Sequence, residues 1–532
     1  MYIISYDIGT TGLKACLIEV KEGIKILRGE YEAYGLYVLD NGGVEQEPEE
    51  WWKAMCDSTK RLMEESAVKP EEIDGIALCS QMQGMVLVDK EGNALRRAMS
   101  YMDQRAVNEY DEIQRHGLQI ADANVGMLLR SLALTTAAPT SVKDPLWKYK
   151  WVEKNEPEIF AEAHKWLDVK EYIIARLTGE FVMTYDSAYA TFLMETKNNR
   201  NEWSEELCEM YGVNMKHLPK LIACSDVAGR LRAKQAEELG LCEGIKVYGS
   251  GGDATLIGVG AGSTAVGKTH IYWGTSGWVG TVIDEQKVDI TAMIAGIVGA
   301  EPGKFNYFAE METAGKCVEW AKNHLVLDEI NIYIDQTKIP DSPESEYQSL
   351  YDYMSAVIAG IEPGSNGVLF APWLHGNRCP FEDSNSSGMF FNLKLETGKA
   401  EMMRAVIEGV CFQLKWMLEC EDKKVSTSDP IRFVGGGALS PINCQILADI
   451  TGRVIETVEY NKDAGAVGAA ILVAVGSGEI SSFEEASKLI PAVAAYEPNP
   501  DNKAVYERNY NVFKQLYKSN RKLFALMNSL NQ

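Results

Sequence analysis

Two strand–turn–strand patterns constrain the fold of this chain more than any other feature. The first fills residues 1–17, where an apolar run leads into a polar, glycine-rich turn and out into a second apolar run. The second fills residues 268–282 and has the same order of apolar run, turn and apolar run. Because the two patterns lie about half a chain apart, they predict two similar lobes that face one ligand.

Both turns carry residue types that bind phosphate groups. Tight glycine turns let backbone N–H groups approach phosphate oxygens, and nearby hydroxyls add hydrogen-bond donors. A carboxylate beside such a turn could hold Mg²⁺ through water, because Mg²⁺ keeps several waters and takes few carboxylates. A plain turn without a ligand is the alternative for each. The residues concerned are Asp7, Gly9, Thr10, Thr11 and Lys14 in the first turn and Gly274, Thr275 and Ser276 in the second.

Composition narrows the class of protein. The 532 residues carry a net charge of −24, which argues against binding to nucleic acid or to an anionic membrane, because those partners require a basic face. Eleven scattered cysteines without CxxC pairs predict reduced thiols and a cytoplasmic location. No apolar run approaches the ~18 residues of a membrane span, and no leader pattern opens the chain. We expect a soluble cytoplasmic protein.

Further elements follow from local patterns. Pro48 with the acidic residues after it predicts a helix to about residue 65. Buried strands are predicted at 73–79 and 85–89, joined by a loop rich in amides, and residues 104–240 are predicted to be mainly helical. Residues 247–262 pass from strand to helix and are the candidate junction between lobes. A C-terminal helix is predicted at about 504–530, and residues 341–346 are predicted to form a surface loop.

Residues 262–269 fit the pattern GxxxxGK[ST] of a phosphate-binding loop. Such a loop needs a strand before it and a helix after it. Here a helix is predicted before it and a strand after it, so we interpret the match as a coincidence. A true phosphate loop is the alternative, and it would make Lys268 a nucleotide contact.

Two other glycine-rich segments are candidates for a site. Asp253 follows Gly251 and Gly252 at the start of a predicted helix. It is either a helix cap, the commoner use of aspartate there, or a catalytic base that the helix dipole keeps ionised. The segment FVGGGA at 433–438 either lets a flat ligand lie on bare backbone or simply forms a tight turn. No histidine is spaced as a metal ligand with another histidine or with cysteine, so a protein-caged metal is not expected.

Taken together, these segments resemble the FGGY family of carbohydrate kinases, and the resemblance spans essentially the whole chain. Residues 7–11 and 273–277 are similar to the two phosphate motifs of the family, 434–438 to its adenosine motif, and 249–253 to the segment with its catalytic aspartate. Family-specific strings strengthen the likeness. They are Glu45-Gln46…Pro48…Trp51-Trp52, His375-Gly376-Asn377-Arg378-Cys379-Pro380…Gly388-Met389-Phe390, and Tyr496…Pro498 with Tyr506, Tyr510 and Tyr517.

Within the family, the sugar-side segments resemble those of the xylulokinase group most closely, with three departures. In the loop Ser80-Gln81-Met82-Gln83-Gly84, Gln83 stands where that group has histidine. Ala254 replaces an amide beside the catalytic aspartate, and Tyr101 replaces a tryptophan in the string that ends at Arg105. Because buried hydrogen-bond partners discriminate sugar hydroxyls, these changes could redirect specificity by several orders of magnitude.

The resemblance implies an α/β fold of two ribonuclease-H-like lobes, of the actin, Hsp70 and hexokinase type, at residues 1–245 and 246–532. The active site would lie in the cleft between a sugar-binding N-terminal lobe and an ATP-binding C-terminal lobe. The expected reaction is ATP-dependent phosphorylation of a terminal hydroxyl of a small sugar, with the ketopentose D-xylulose, giving the 5-phosphate, as the first choice. Ribulose, glycerol, erythritol or gluconate are alternative substrates, and an ATP-gated actin-like or chaperone-like binding protein is the alternative of another class.

The resemblance also assigns roles to residues. Asp253 would accept the proton of the sugar hydroxyl, and Asp7 would position Mg²⁺. The partners expected are ATP, Mg²⁺ and the sugar, with a second copy of the chain as a further option. ATP would contact Gly9, Thr10, Thr11, Lys14, Gly274, Thr275, Ser276, Gly436, Gly437, Ala438 and Ser440, and the sugar would contact Gln81, Met82, Gln83, Tyr101 and Asp103 as well as Asp253.

Overall fold

The computed structural model describes residues 1–120, 123–326 and 349–528, and two large β-sheets with flanking helices make up most of this part. The surface loop predicted at 341–346 and the last residues of the predicted C-terminal helix lie outside the described residues. No helix within the described ranges is long and apolar enough to cross a membrane.

The first sheet grows from the opening hairpin. Its strands are β1 Tyr2–Ile8, β2 Gly12–Val20, β3 Ile24–Ala33, β4 Ile73–Ser80, β5 Val227–Arg230, β6 Lys246–Tyr248 and β7 Gly251–Gly252. Strands β1 and β2 pair antiparallel and place Asp7 opposite Lys14. Most side chains of both strands are buried, because helices cover both faces of the sheet. The strand order is β5-β6-β4-β1-β2-β3, and β7 also pairs with β4.

The second sheet grows from the second hairpin in the same way. Its order is β10-β11-β12-β9-β8-β13-β14-β15. The strands are β8 Thr269–Trp273, β9 Gly277–Ile283, β10 Val288–Asp289, β11 Ile294–Val298, β12 Phe305–Met311, β13 Ile431–Val434, β14 Ile455–Val458 and β15 Ala492–Tyr496.

The two sheets share one pairing scheme. In each, the hairpin carries a third antiparallel strand on its outer side, β3 or β12. On the inner side, the first hairpin strand pairs in parallel with a later strand, β4 or β13. This repeated scheme confirms the predicted two-lobed α/β fold. The division between sheets falls later than predicted, because β6 and β7, after residue 245, both pair with β4 of the first sheet.

Helices connect and cover the sheets. Helix α1 begins at Pro48, as its sequence predicts, and packs on β2 and β3. The described residues of the stretch 104–240 form eight α-helices, several short two-stranded pairs and strand β5 of the first sheet, so the stretch is less helical than predicted. The helices are α1 Pro48–Glu64, α2 Val107–Gln114, α3 Val125–Thr135, α4 Pro145–Asn155, α5 Pro157–Glu162, α6 Val169–Thr178, α7 Tyr185–Ala190, α8 Glu205–Tyr211, α9 Ala233–Leu239, α10 Asp253–Gly260, α11 Gly315–Ala321, α12 Leu350–Ala359, α13 Lys399–Glu421, α14 Pro441–Thr451, α15 Ala464–Gly476, α16 Phe483–Ser487 and α17 Lys503–Asn528.

Helices α10 and α15 join the lobes through direct backbone contact. A Cβ atom on Gly260 would come within 1.8 Å of the Ala464 carbonyl oxygen, and one on Gly468 would come within 2.2 Å of the Leu256 carbonyl oxygen. Only glycine permits such an approach. Both helices contribute to a hydrophobic cluster that also holds residues of β1, β2, β9 and β13, so one core spans the two sheets.

Candidate active site

The first hairpin turn is fixed by side chains behind it. The Gln81 amide nitrogen donates to the Gly9 carbonyl oxygen at 3.1 Å and to Gln46 Oε1 at 2.8 Å. Gln46 in turn donates to the Thr10 carbonyl oxygen at 2.7 Å. Thr11 is exposed at the tip of the turn. The turn is therefore rigid at its base and open at its tip.

The second turn is fixed by backbone amides instead. The Gly274 carbonyl oxygen accepts the Gly315 amide at 2.8 Å, and the Thr275 carbonyl oxygen accepts those of Ala314 and Lys316 at 3.1 and 3.2 Å. Thr275 is exposed, like Thr11, and Ser276 beside it is partly exposed. Both turns thus present hydroxyls that could meet phosphate oxygens.

Asp7 lies beside the first turn, close to the start of α15. A Cβ atom on Gly465 would come within 3.0 Å of Asp7 Oδ2, so glycine is needed there. Burial raises the pKa of Asp7, and the neighbouring Lys14 opposes that rise. An acid whose charge is only partly compensated is a suitable place for a cation.

Lys14, which is predicted to contact the nucleotide, already has protein partners in the structure. Its ammonium pairs with Asp463 at 2.8 Å and donates to the Lys462 carbonyl oxygen at 2.9 Å. These two acceptors immediately precede α15. Lys14 therefore ties the first hairpin to the second lobe, and sequence spacing could not reveal partners some 450 residues away.

Asp253 is the first residue of α10, and its Oδ1 accepts the Ala254 amide at 2.8 Å, so the side chain contributes to capping the helix, as one of the two alternatives predicts. Burial raises the pKa of Asp253 to about 7, and the charges of Asp7, Glu310 and Asp168 act in the same direction. The helix dipole is expected to keep this carboxylate ionised, but burial and the neighbouring negative charges oppose that effect. A carboxyl whose pKa is raised toward neutral pH suits a group that must accept a proton there.

Two groups that sequence reasoning missed fix the backbone before Asp253. The Gly252 amide donates to Asp186 Oδ2 at 2.7 Å, and the buried ammonium of Lys170 lies 3.7 Å from the same carboxylate. Met82 packs on the other side, because a Cβ atom on Gly252 would come within 2.1 Å of its sulfur. The two glycines before Asp253 hint at such crowding, but they do not identify the neighbours.

The residues predicted to contact sugar lie around this point. Met82 touches Gly252, and the Tyr101 hydroxyl lies 3.4 Å from Thr10 Oγ1. Gln81 is buried, and its Oε1 has no hydrogen-bond partner among the described residues. An unpaired buried acceptor favours a ligand with a hydroxyl donor, because leaving it unpaired costs free energy.

Asp103 differs from the other predicted sugar contacts. It is fully buried, and its two oxygens accept the Val44 amide at 2.8 Å and several bonds from Arg105, the shortest at 2.7 Å. Arg105 also pairs with Glu45 at 2.8 Å. These contacts favour a supporting role for Asp103 over contact with a sugar.

The predicted adenosine segment follows β13. Gly435 has φ of +95°, and a Cβ atom on Gly437 would come within 2.5 Å of the Trp273 ring. Gly436 is exposed and Ala438 is buried, so bare backbone faces outward here. The Ser440 hydroxyl already lies 2.9 Å from that of Ser355. The exposed backbone fits a flat ring. Ser440, by contrast, would have to give up its hydrogen bond with Ser355 in order to contact ATP.

Acidic and basic side chains from both lobes meet near Asp253. Arg378 pairs with Glu310 at 2.6 Å, and Lys143 of the first lobe lies 3.8 Å from Glu312 of the second. Burial raises the pKa of Glu310, with Arg378 opposing that rise. Arg378 belongs to one of the sequence strings that resemble the family, whereas no local sequence pattern points to Glu310.

Two family models cover most of the chain. The N-terminal domain of the FGGY family of carbohydrate kinases matches residues 2–260, and the C-terminal domain of that family matches residues 270–477. A xylulose kinase of Bacillus subtilis is 28% identical over 530 residues, covering 99% of both proteins. A gluconokinase of the same bacterium is 26% identical over 526 residues, covering 96% of this chain and 94% of the relative.

Solved structures share the fold. A ligand-bound xylulose kinase from Lactobacillus acidophilus superimposes with a TM-score of 0.84 at 24% identity and 99% coverage of both chains. Plasmodium falciparum glycerol kinase with ADP gives 0.78 at 20% identity, covering 97% of this chain and 98% of that one.

Proposed function

This chain belongs to the FGGY family of carbohydrate kinases, and on that premise we propose that it transfers the γ-phosphoryl group of ATP to a terminal hydroxyl of a small neutral sugar. The ketopentose D-xylulose is the first candidate, since several relatives are named xylulose kinase. The observation that carries the proposal is Asp253, a carboxyl with a pKa of about 7 at the start of a helix, next to the predicted sugar loop.

In the proposed mechanism Asp253 accepts the proton of the sugar hydroxyl as that oxygen attacks the γ-phosphorus. The bond from the γ-phosphorus to its bridging oxygen breaks, and ADP leaves. Backbone amides and hydroxyls of Thr10, Thr11 and Thr275 neutralise the charge that develops on the transferring group. Phosphoryl transfer depends mainly on such alignment and charge stabilisation.

The residues present fit ATP and Mg²⁺. The exposed bare backbone at Gly436 suits an adenine ring, and the partly compensated charge of Asp7 suits a hydrated cation. When bound, Mg-ATP supplies the phosphoryl group and shields its negative charge. We assign Asp7 to the metal and the two turns to the phosphates.

A neutral sugar agrees better with the charges of the site than a sugar acid. The charges of Asp7 and Glu310 act on Asp253 there, so an added carboxylate would meet like charges. The nearby cations already have partners: Arg378 has Glu310, and Lys143 has Glu312. This charge balance favours a ketopentose or polyol over gluconate, although a gluconokinase is among the relatives.

We also propose a division of labour between the lobes. The first sheet, which ends with β7 at Gly252, would carry the sugar loop and the first phosphate turn. The second sheet would carry the adenosine segment and the second phosphate turn, with Asp253 at the junction. This division follows the sheets rather than the predicted boundary after residue 245.

A coupled ADP-release screen with Mg-ATP tests the proposal. Ketopentoses, alditols and aldonates are compared at equal concentration, and we expect the largest kcat/KM for a ketopentose and the smallest for gluconate. A preference for gluconate would overturn the neutral-sugar assignment. A chain that releases ADP with none of these compounds, but does so with a protein partner, would support the binding-protein alternative.

A further inference from the structure

The sugar loop holds one residue in a backbone conformation that side chains disfavour. Gln83 has φ of +62°, in the left-handed region that non-glycine residues rarely occupy. Such a conformation costs ~1–3 kcal/mol and persists only where surrounding contacts fix it. The loop therefore needs something to hold residue 83 in place.

Two buried charged side chains hold it from both sides. Asp168 accepts the Gln83 amide at 2.9 Å through Oδ2 and the Gly84 amide at 2.9 Å through Oδ1. Lys148 donates from its ammonium to the Gln83 carbonyl oxygen at 2.7 Å. Both backbone hydrogen-bonding groups of Gln83 thus bind to charged partners, and we name Lys148 and Asp168 the loop clamp.

The loop clamp is built from separate helices and lies out of solvent. Lys148 comes from α4 and is fully buried, while Asp168 precedes α6 and is 5% exposed. Burial lowers the pKa of Lys148 to about 8 and raises the pKa of Asp168 to about 7. Buried charges carry a large desolvation cost, so apolar side chains would stabilise a plain loop better.

The residue that the loop clamp orients, Gln83, lies close to Asp253, the proposed catalytic base. Met82, next to Gln83, packs on Gly252, the residue before Asp253. Asp168 itself contributes to the electrostatic field at Asp253. The Gln83 side chain is partly exposed, and its direction depends on the strained backbone that the loop clamp holds.

We propose that Lys148 and Asp168 are positioning residues that aim the side chain of residue 83 at the sugar, so that the choice of sugar depends on them as well as on Gln83. This inference rests on the proposed sugar-kinase function. The proposed role differs from a purely structural role, because it couples Lys148 to the side chain of residue 83 in particular. A general loss of packing would act on every substrate and on ATP alike.

A double-mutant cycle tests the coupling. Lys148→Met, Gln83→Ala and the double variant are compared with the wild-type chain for kcat and KM toward the sugar that the screen identifies and toward ATP. We expect Lys148→Met to raise the sugar KM ~10-fold to ~100-fold, because misplacing a binding group by about 1 Å has effects of that size. In the Gln83→Ala background the same substitution should raise the sugar KM less than ~3-fold, since residue 83 then has no long side chain to be positioned.

Lys148→Met should leave the KM for ATP within about twofold. The matched control is Lys150→Met, two residues along the same helix. The Lys150 ammonium pairs with Glu153 and donates to the Gly212 carbonyl oxygen, away from the sugar loop. We expect the control to leave all constants unchanged.

A second variant covers the case in which Lys148→Met does not fold. Gly84→Ala keeps both charges, but its Cβ atom would come within 2.8 Å of Asp168 Oδ1 and displace the carboxylate. It should raise the sugar KM in the wild-type background and much less with Gln83→Ala.

The outcomes distinguish a failure of the proposed function from a failure of the loop clamp alone. A wild-type chain that phosphorylates no sugar overturns the proposed function and the loop clamp with it. An active wild type with additive effects in the cycle, or with equal losses toward sugar and ATP, overturns the loop clamp alone.

Discussion

The two phosphate turns have similar shapes but different supports. Gln46, Gln81 and Tyr34 hold the carbonyl oxygens of the first turn through side chains, whereas the second turn is held by backbone amides at the start of α11. Gln81 also belongs to the predicted sugar loop. A change in the sugar loop therefore reaches the first turn directly, while the hydrogen bonds described for the second turn come from its own lobe.

From this difference we expect that changes on the sugar side affect turnover and that changes on the nucleotide side affect mainly ATP affinity. Asp253→Asn tests the first half with the largest expected effect. The substitution keeps size and the bond from the Ala254 amide, but it removes the proton acceptor. We expect kcat to fall by about 10²–10⁴-fold while the Kd for ATP is unchanged. Activity is measured by ADP release and the Kd by calorimetry.

The control is Asp352→Asn, an exposed aspartate in the first turn of α12, which should behave as the wild type. Near-normal turnover by Asp253→Asn would remove Asp253 from its role.

Gln81→Ala should have the next largest effect and compares the two turns directly. It removes the donor to Gly9 and Gln46 and leaves the buried Gln46 Oε1 without this donor, a cost of ~1–3 kcal/mol. We expect kcat/KM to fall ~10-fold to ~100-fold toward both sugar and ATP.

The counterpart on the second turn, Thr275→Ala, should lower kcat/KM for ATP and leave the sugar KM unchanged. Equal effects of the two variants on the sugar KM would contradict the comparison.

Gly437→Ala addresses the nucleotide side alone. Its Cβ atom would lie within 2.5 Å of the Trp273 ring, immediately before the second turn, and overpacking of this kind costs ~1–3 kcal/mol. We expect ATP to bind ~10-fold more weakly, with the sugar KM within twofold of the wild type. Isothermal titration with ATP and steady-state kinetics with sugar measure the two. A rise in the sugar KM as large as that for ATP would show that the second turn also serves the sugar.

Lys268→Ala should have the smallest effect. The residue is exposed, and its segment lies between helix α10 and strand β8, the reverse of the order that a phosphate-binding loop needs. ATP affinity should therefore stay within a few-fold. Lost ATP binding in a folded variant would restore the phosphate-loop alternative.

Local patterns were enough to predict the hairpins, the start of α1 at Pro48 and the two-lobed fold. Such features depend on residues close together in sequence. Which sheet a strand joins depends on distant residues, so local patterns do not reveal that β6 and β7 pair with β4 of the first sheet. The role of Lys14 shows the same limit, because its partner Asp463 comes from the far end of the chain.

The candidate site was predicted less completely than the fold. Motif likeness predicts Asp7, Asp253 and the turns, and in the structure the charge of Asp7 acts on Asp253. The groups around them, Lys148 and Asp168, carry no local signal. A buried lysine and a residue before a helix look ordinary in sequence, and only tertiary packing shows that both bind the loop at Gln83.

The glycine contacts between α10 and α15 have a consequence for engineering. Asp253 begins one of these helices, and the other starts beside Asp7. Because main chain meets main chain at Gly260 and Gly468, the spacing of the two helices does not depend on the size of any side chain between them. Residue 83 of the sugar loop can therefore be exchanged to recruit new substrates while the helix pair preserves the alignment of Asp7 and Asp253. Gln81 has to stay, because it also holds the first phosphate turn.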